Sequence, residues 1–262
     1  MTANAIWTDV QAIRAKAPLV HNITNFVVMN NTANALLAIG ASPVMAHAPE
    51  EVEDMVAIAS SLVINIGTLS REWISAMGLA MKAAAARKIP IVFDPVGAGA
   101  TSYRTNTCRE LLTLAAPTII RGNGSEIMAL EDSSVTTKGV DSSEEGTAAE
   151  GAARALATQY GCTVVVSGET DLITDGSDVR FVRNGHAIMP RVTGLGCTAT
   201  ALVGAFAAVN SNPVAASTHA MAVMGICGEL AAQEAAGPAS LQVGLIDALY
   251  TLGAEQISAM LR

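Results

Sequence analysis

Residues 62–66 (LVINI), 89–93 (IPIVF), 118–120 (TII) and 163–166 (TVVV) are short runs in which apolar side chains fall on both alternating faces. A strand with one wet face alternates apolar and polar residues. A strand that does not alternate is covered twice, which is the habit of a parallel sheet held between helices. Helical spacing fills the intervals. Ser70 offers an N-cap, and Ile74, Met77, Met81 and Ala84 then recur on one face. Val52, Met55, Val56 and Ala59 form another such face, and Pro49, Glu50 and Glu51 suit the first turn of that helix. The alternation predicts a doubly wound α/β fold. Residues 170–174 and 179–183 are shorter and more polar, and Asp175-Gly176-Ser177-Asp178 separates them. They predict an antiparallel hairpin at one sheet edge. The last third reads as almost wholly helical, no internal repeat is visible, and the polar patch at residues 131–145 reads as a surface loop.

The chain has 262 residues, 51% hydrophobic and 15% charged. That is enough to bury a core without a metal or disulfide staple, and too apolar for a disordered chain. The formal charge of −8, with no basic run, excludes general nucleic-acid or anionic-membrane binding. An anionic ligand must then be met by a few local groups. Cys108, Cys162, Cys197 and Cys227 show neither CxxC nor zinc-ligand spacing, which points to free thiols in a reducing cytoplasm. The first residues lack a basic region followed by an apolar stretch, so no signal peptide is expected. Mean hydropathy is +0.41, and residues 17–49 and 192–228 hold no charged side chain. Asn22, Asn25, Asn30, Asn31 and Asn34 interrupt the first; Asn210, Ser211, Asn212 and Pro213 interrupt the second. Neither offers the ~20 unbroken apolar residues of a membrane span. Both read as helices buried on most sides, inside one domain or between subunits, because depletion of charge marks interface cores.

Ligands of open α/β sheets bind beyond the carboxyl ends of the strands. Polar residues and glycines collect there repeatedly: His21-Asn22-Ile23-Thr24-Asn25, Met45, Asp94-Pro95-Val96-Gly97-Ala98-Gly99, Arg121-Gly122-Asn123-Gly124-Ser125-Glu126, Ser167-Gly168, and Thr193-Gly194-Leu195-Gly196-Cys197-Thr198. Gly194 and Gly196 stand directly before an apolar helix, where free N–H groups and the helix dipole would face an anion. An ordinary Gly-rich turn would look the same. The segment is neither a P-loop nor a dinucleotide fingerprint. Asp94 and Glu126 are carboxylates of the kind that suits Mg²⁺, which takes one or two carboxylates plus substrate phosphates. A turn cap and a first-turn helix acid are the plain alternatives. Arg121 is a scarce cation placed where phosphate could lie, or a surface ion pair. Cys197 lies at a helix N-terminus, which lowers a thiol pKa. General base, nucleophile and small buried side chain stay open for it; a nucleophile would need His21 within reach. His47, His186 and His219 read as structural or surface residues, and the other three cysteines as packing.

In order, His21-Asn22-Ile23-Thr24-Asn25, Asp94-Pro95-Val96-Gly97-Ala98-Gly99-Ala100, Arg121-Gly122-Asn123-Gly124-Ser125-Glu126 and Gly194-Leu195-Gly196-Cys197 resemble the motifs of the hydroxyethylthiazole kinases, within the ribokinase-like superfamily. Asn123-x-x-Glu126 is similar to the superfamily's Mg-associated NxxE element. Most of the superfamily ends the anion-hole motif in Asp; the thiazole kinases end it in Cys, as here at Cys197. The resemblance runs from about Leu19 to the C-terminal helices. It implies one ribokinase-like domain over residues 1–262, a three-layer α/β/α fold with a mostly parallel sheet and an antiparallel edge hairpin. It implies ATP-dependent, Mg²⁺-assisted phosphorylation of 4-methyl-5-(2-hydroxyethyl)thiazole in thiamine salvage, by a cytoplasmic homotrimer with active sites between subunits. By the same resemblance Met45, Gly194, Asn25 and Val27 meet the thiazole, Arg121, Ser167, Asn123 and Gly196 meet ATP, Asp94 and Glu126 lie at the Mg²⁺ region, and Cys197 is catalytic, orienting or deprotonating the alcohol. A hydroxymethylpyrimidine-type kinase, an ATP-dependent dehydratase of the same fold and a non-catalytic nucleotide-binding module are the alternatives; the scarcity of charge at the strand ends favours a small apolar heterocycle.

Overall fold

The computed structural model describes residues 1–131 and 142–262, with side chains from 146 onward in the second part. One eight-stranded sheet among these residues runs in the order β2 (Ser42–Val44), β1 (Leu19–Ile23), β3 (Ser61–Asn65), β4 (Ile91–Asp94), β5 (Ile119–Asn123), β6 (Thr163–Ser167), β7 (Asp171–Thr174) and β8 (Val179–Val182). From β2 to β6 all pairings are parallel; β7 and β8 add the antiparallel edge hairpin. The order steps outward from β1 to β2 and back across β1 to β3, which makes the β1/β3 boundary the topological switch point.

The non-alternating strands are covered twice, as their sequence demands. Val20, Val63, Val92, Ile119 and Val165 face one core, under α1 (Ala3–Lys16), α2 (Met29–Ile39), α8 (Leu195–Ala207), α9 (Pro213–Glu234), α10 (Pro238–Thr251) and α11 (Ala254–Met260). Leu62, Ile64, Ile91, Phe93, Ile120 and Val164 face the other, under α3 (Val52–Ile58), α4 (Arg71–Arg87), α5 (Ser102–Leu114), α6 (Gly124–Glu131) and α7 (Ser142–Tyr160). The second charge-free stretch supplies α8 and α9. By length and composition α9 could cross a membrane, yet its apolar window is 83% buried inside the fold.

Local expectations fare unevenly. Ser70 caps α4, its Oγ accepting the Trp73 N–H at 3.2 Å. The buried face of that helix starts from Trp73 and not Ile74, because Trp73 shares a stripe with Met77, Ala80, Met81 and Ala84. The helix expected from Val52 to Ala59 spans Val52–Ile58, without the residues expected in its first turn. Pro49, Glu50 and Glu51 precede it, and Glu53 and Asp54 meet its positive end instead. The first charge-free stretch holds strands β1 and β2 as well as α2, and Leu37 on α2 is exposed, so that stretch is not buried helix throughout. The loop expected over residues 131–145 falls mostly on 132–141, outside the described residues.

Candidate active site

Strand register assembles the site. Asn65 and Asp94 are cross-strand neighbours at the ends of β3 and β4, and Asn123 and Ser167 are neighbours at the ends of β5 and β6. At the switch point Asn25, just beyond β1, donates from Nδ2 to Asn65 Oδ1 at 2.9 Å. Asn65 Nδ2 in turn donates to Asp94 Oδ2 at 2.9 Å, and Thr200 Oγ1 reaches the same oxygen at 2.7 Å. Asn25 Nδ2 also points at Cys197 Sγ, 3.5 Å away. A buried polar chain therefore runs from the carboxylate of Asp94 to the thiol of Cys197. Asp94 Oδ1 is buried with no hydrogen-bond partner among the described residues. Burial pushes the Asp94 carboxyl up to about 6, against the opposing pull of Arg121.

Cys197 is held at the start of α8. Gly194 is the N-cap, with φ +81°, and a Cβ there would stand 2.4 Å from Val28 Cγ1. A side chain is thus barred both by backbone conformation and by contact. The first helical N–H groups have no acceptor within the helix; the first bond runs from Thr198 N–H to Gly194 C=O at 2.9 Å. Asn31 on α2 fixes this turn by donating to Thr198 Oγ1. Further along α8, a Cβ at Gly204 would lie 2.6 Å from Val63, so the glycine lets the helix settle onto β3. The helix start does not lower the thiol pKa as expected. Burial and the nearby Asp94 carboxylate push Cys197 up to about 11 and outweigh its hydrogen bonds from Asn65 and Asn25. His21 does not reach the thiol by hydrogen bond: its Nε2 pairs with the Ala46 carbonyl at 2.8 Å, and burial lowers its pKa.

On the other side of the α8 start lies a cavity of about 790 Å³, lined by Arg121, Ser167, Asp171, Leu195 and Gly196 together with residues of the 183–190 segment. Arg121 is only 7% exposed and makes no salt bridge among the described residues. Its Nη2 donates to Ser167 Oγ at 2.7 Å, while Nε is buried without a partner. Asp171, also in the cavity wall, accepts the Gly168 N–H at 3.0 Å, and burial raises its pKa to about 6.

Asn123 and Glu126 form a reciprocal cap on α6. Asn123 Oδ1 accepts the Glu126 N–H, and Glu126 Oε2 accepts the Asn123 N–H, both at 2.9 Å. Glu126 Oε1 takes the Gly97 N–H at 2.9 Å, which ties the β4 loop to the β5 loop. Each oxygen of Glu126 already holds one backbone donor, whereas Asp94 keeps an oxygen free. An oxygen-only donor set with one free buried carboxylate oxygen fits Mg²⁺, a hard cation that retains waters and leans on substrate phosphate. No group of three or more His, Cys, Asp or Glu side chains able to hold a metal exists among the described residues.

The structure thus brings together Asn25, Asp94 and Cys197, and separately Arg121, Ser167 and Gly196. Met45 follows edge strand β2 and is half-buried, and its carbonyl pairs with His47 Nδ1. Val27 is 69% exposed beside Val28, the residue that packs on Gly194. Met45 and Val27 make no hydrogen bond into the polar chain. His47 is not isolated: its ring centroid lies 4.6 Å from that of Trp73, which also meets the tilted ring of Phe26 at 4.9 Å. Asn65, Thr200, Asn31 and Arg104 were missed. Asn65 ends an apolar strand run and was visible there; Asn31 and Arg104 sit in the first turns of α2 and α5 and Thr200 inside α8, where no local pattern marks them.

The sheet order, the hairpin edge and a glycine-started helix beside the Arg121 cavity define a ribokinase-like fold. A ribokinase-like superfamily protein from Enterococcus faecalis shares that fold at 12% identity, with TM-score 0.65 and coverage of 96% of this chain and 88% of that one. The chain belongs to the hydroxyethylthiazole kinase family, whose model matches residues 10–255. The hydroxyethylthiazole kinase of Syntrophus aciditrophicus is 59% identical over 100% of this chain and 97% of its own length. The structure of hydroxyethylthiazole kinase from Pyrococcus horikoshii superposes with TM-score 0.90 at 44% identity, covering 99% of this chain and 98% of that one.

Proposed function

We propose that this chain transfers the γ-phosphoryl group of ATP to the primary alcohol of 4-methyl-5-(2-hydroxyethyl)thiazole, the salvage step of thiamine synthesis. The observation that carries this reading is the position of one helix start: Leu195 and Gly196 face the cavity, while Cys197 faces Asn25. Donor and acceptor sides therefore meet across three residues.

Phosphoryl transfer is mainly positioning plus stabilisation of charge. The cavity takes the nucleotide, with Arg121 and Ser167 on its phosphates and Asn123 and Gly196 beside them. The free N–H groups opening α8 hold the transferring phosphoryl. Asn25, Met45, Gly194 and Val27 receive the thiazole. The Cys197 thiol stays protonated at neutral pH, so it orients the hydroxyl and does not deprotonate it beforehand. The hydroxyl proton leaves as the new O–P bond forms, which suits a loose transition state that asks little of a base. Asp94 and Glu126 would hold Mg²⁺, and the ion would supply neutralisation of triphosphate charge.

The protein is read as a single cytoplasmic kinase domain over residues 1–262 that works as a homotrimer with its sites between subunits. Phe26 and Val27, 65% and 69% exposed beside the acceptor side, support this, since a partner would cover them. A turnover panel of thiazole and pyrimidine alcohols with MgATP, read by product mass, tests the function. A mass gain of one phosphoryl group on the thiazole alcohol is expected; ATP consumption without a phosphorylated alcohol would transfer support to a dehydratase.

A further inference from the structure

The far wall of the cavity is built by residues 183–190, between β8 and the short 3-10 turn Met189–Arg191. Such a segment carries no sheet or helix ladder of its own, so something else must hold its shape. That support comes from α9. Gly225 and Gly228 lie one turn apart on this helix. A Cβ at Gly225 would stand 2.4 Å from the backbone oxygen of Asn184, and one at Gly228 would stand 2.3 Å from Met189 Sδ. The two glycines form a shallow seat into which the segment drops.

Glu229 follows at once and is the first charge after a stretch with none. Its Oε1 accepts the Gly185 N–H at 2.6 Å and Asn184 Nδ2 at 3.1 Å, and pairs with the Arg262 guanidinium. Asn184 is 5% exposed and fully engaged: Nδ2 also donates to the Met260 carbonyl at 2.7 Å, and Oδ1 accepts the Arg262 N–H at 3.1 Å. One carboxylate oxygen thus gathers the cavity wall, the helix and the 260–262 segment. Glu229 itself does not line the cavity.

We infer that Glu229 is a positioning residue for nucleotide binding, acting through Asn184 and Gly185, with Gly225 and Gly228 as the seat that brings their backbone onto α9. The inference rests on reading the cavity as the nucleotide site. It assigns Glu229 an effect on nucleotide affinity and none on the acceptor, which is read to lie by Asn25 and Cys197 across the α8 start.

The test measures Kd for a non-hydrolysable ATP analogue by calorimetry, together with kcat and both KM values, in wild type, Glu229→Ala, Glu229→Gln and Gly225→Ala. Glu229→Ala should weaken the analogue and raise KM for ATP by about tenfold, the factor that corresponds to losing roughly one charge-assisted hydrogen bond. KM for the thiazole alcohol should stay within about twofold. Glu229→Gln, which can still accept from Gly185 and Asn184, should restore most of the affinity. Gly225→Ala leaves Glu229 intact but lifts the segment and adds a methyl to the cavity wall that Gly225 lines, so it should weaken the analogue too. An unchanged analogue Kd in folded Glu229→Ala or Gly225→Ala, or an equal rise in both KM values, would overturn the inference. If wild type binds the analogue but phosphorylates no alcohol, the proposed function fails while the Kd comparison still decides the role of Glu229.

Discussion

Gly196 and Arg121 approach so closely that a Cβ on the glycine would stand 2.9 Å from Arg121 Nη1. A helix residue and a cation within β5 are thereby fitted to each other. Gly196→Ala should displace the flexible guanidinium and disturb its 2.7 Å bond to Ser167, while the fold changes by less than about 1 kcal/mol. KM for ATP should rise about tenfold, the equivalent of roughly 1.4 kcal/mol. Steady-state kinetics and thermal melts of the variant check both parts.

Cys197 provides a sharper test, because its thiol is pushed up to about 11. A base of that pKa would leave a rising limb in the pH–rate profile through the alkaline range. An orienting thiol leaves kcat level from pH 6.5 to 9 as far as this residue is concerned, since it stays protonated throughout. Cys197→Ala should lower kcat by about 10²-fold through lost orientation of the hydroxyl, with a smaller effect on ATP binding. Cys197→Asp should retain activity, because a carboxylate can hold the hydroxyl in place by accepting its hydrogen bond. Full kcat in Cys197→Ala at saturating thiazole, or a folded but inert Cys197→Asp, would contradict this role.

Asp171 links the cavity wall to stability. Its pKa rises from 3.8 to about 6 on folding, chiefly by burial. The folded state then holds a proton that the unfolded chain has lost, so this contribution is full below pH 3.8 and is lost as pH rises through about 6. The size is of order 1–3 kcal/mol. Asp171→Asn should flatten that part of the decline, so that its stability advantage over wild type grows from pH 4 to pH 7. Urea denaturation at both pH values measures it; parallel curves for the two proteins would remove the assignment.

Arg104 gathers three carbonyls at the strand ends. Nη1 donates to Ile66 and Val96 and Nη2 to Gly67, all at 2.9 to 3.0 Å. Arg104→Ala should cost about 1.5–3 kcal/mol, because charge-assisted bonds to carbonyls are lost together. Lys should rescue little, having no planar fork to span them. Denaturant midpoints distinguish the two substitutions.

Much of the fold was legible because the strands fail to alternate. Val63 against Leu62 and Ile64, or Val92 against Ile91 and Phe93, divide between two cores, and only a sheet covered on both faces buries them all. The hairpin was legible from Asp175, whose carboxylate accepts the Ser177 and Asp178 N–H groups in the turn. The acids of the first turn of α3 were not, because Glu51 carries backbone angles outside the helix and Glu53 and Asp54 take that place. In the site, the strand-end residues could be listed from sequence. Their connections could not: Asn25, Asn65 and Cys197 are separated by 40 and 132 positions and meet only through strand register and the lie of α8. The direction of the Cys197 pKa shift was misjudged for the same reason. The helix start was visible in the chain, but the depth of burial and the nearby Asp94 carboxylate were not.

The account turns on what the opening of α8 holds. A crystal structure with a non-hydrolysable ATP analogue and the thiazole alcohol would decide it. The terminal phosphoryl should sit within hydrogen-bond distance of the N–H groups of residues 195–197, with the alcohol oxygen between it and Cys197. A nucleotide whose terminal phosphoryl lies away from that turn would contradict the account at its centre.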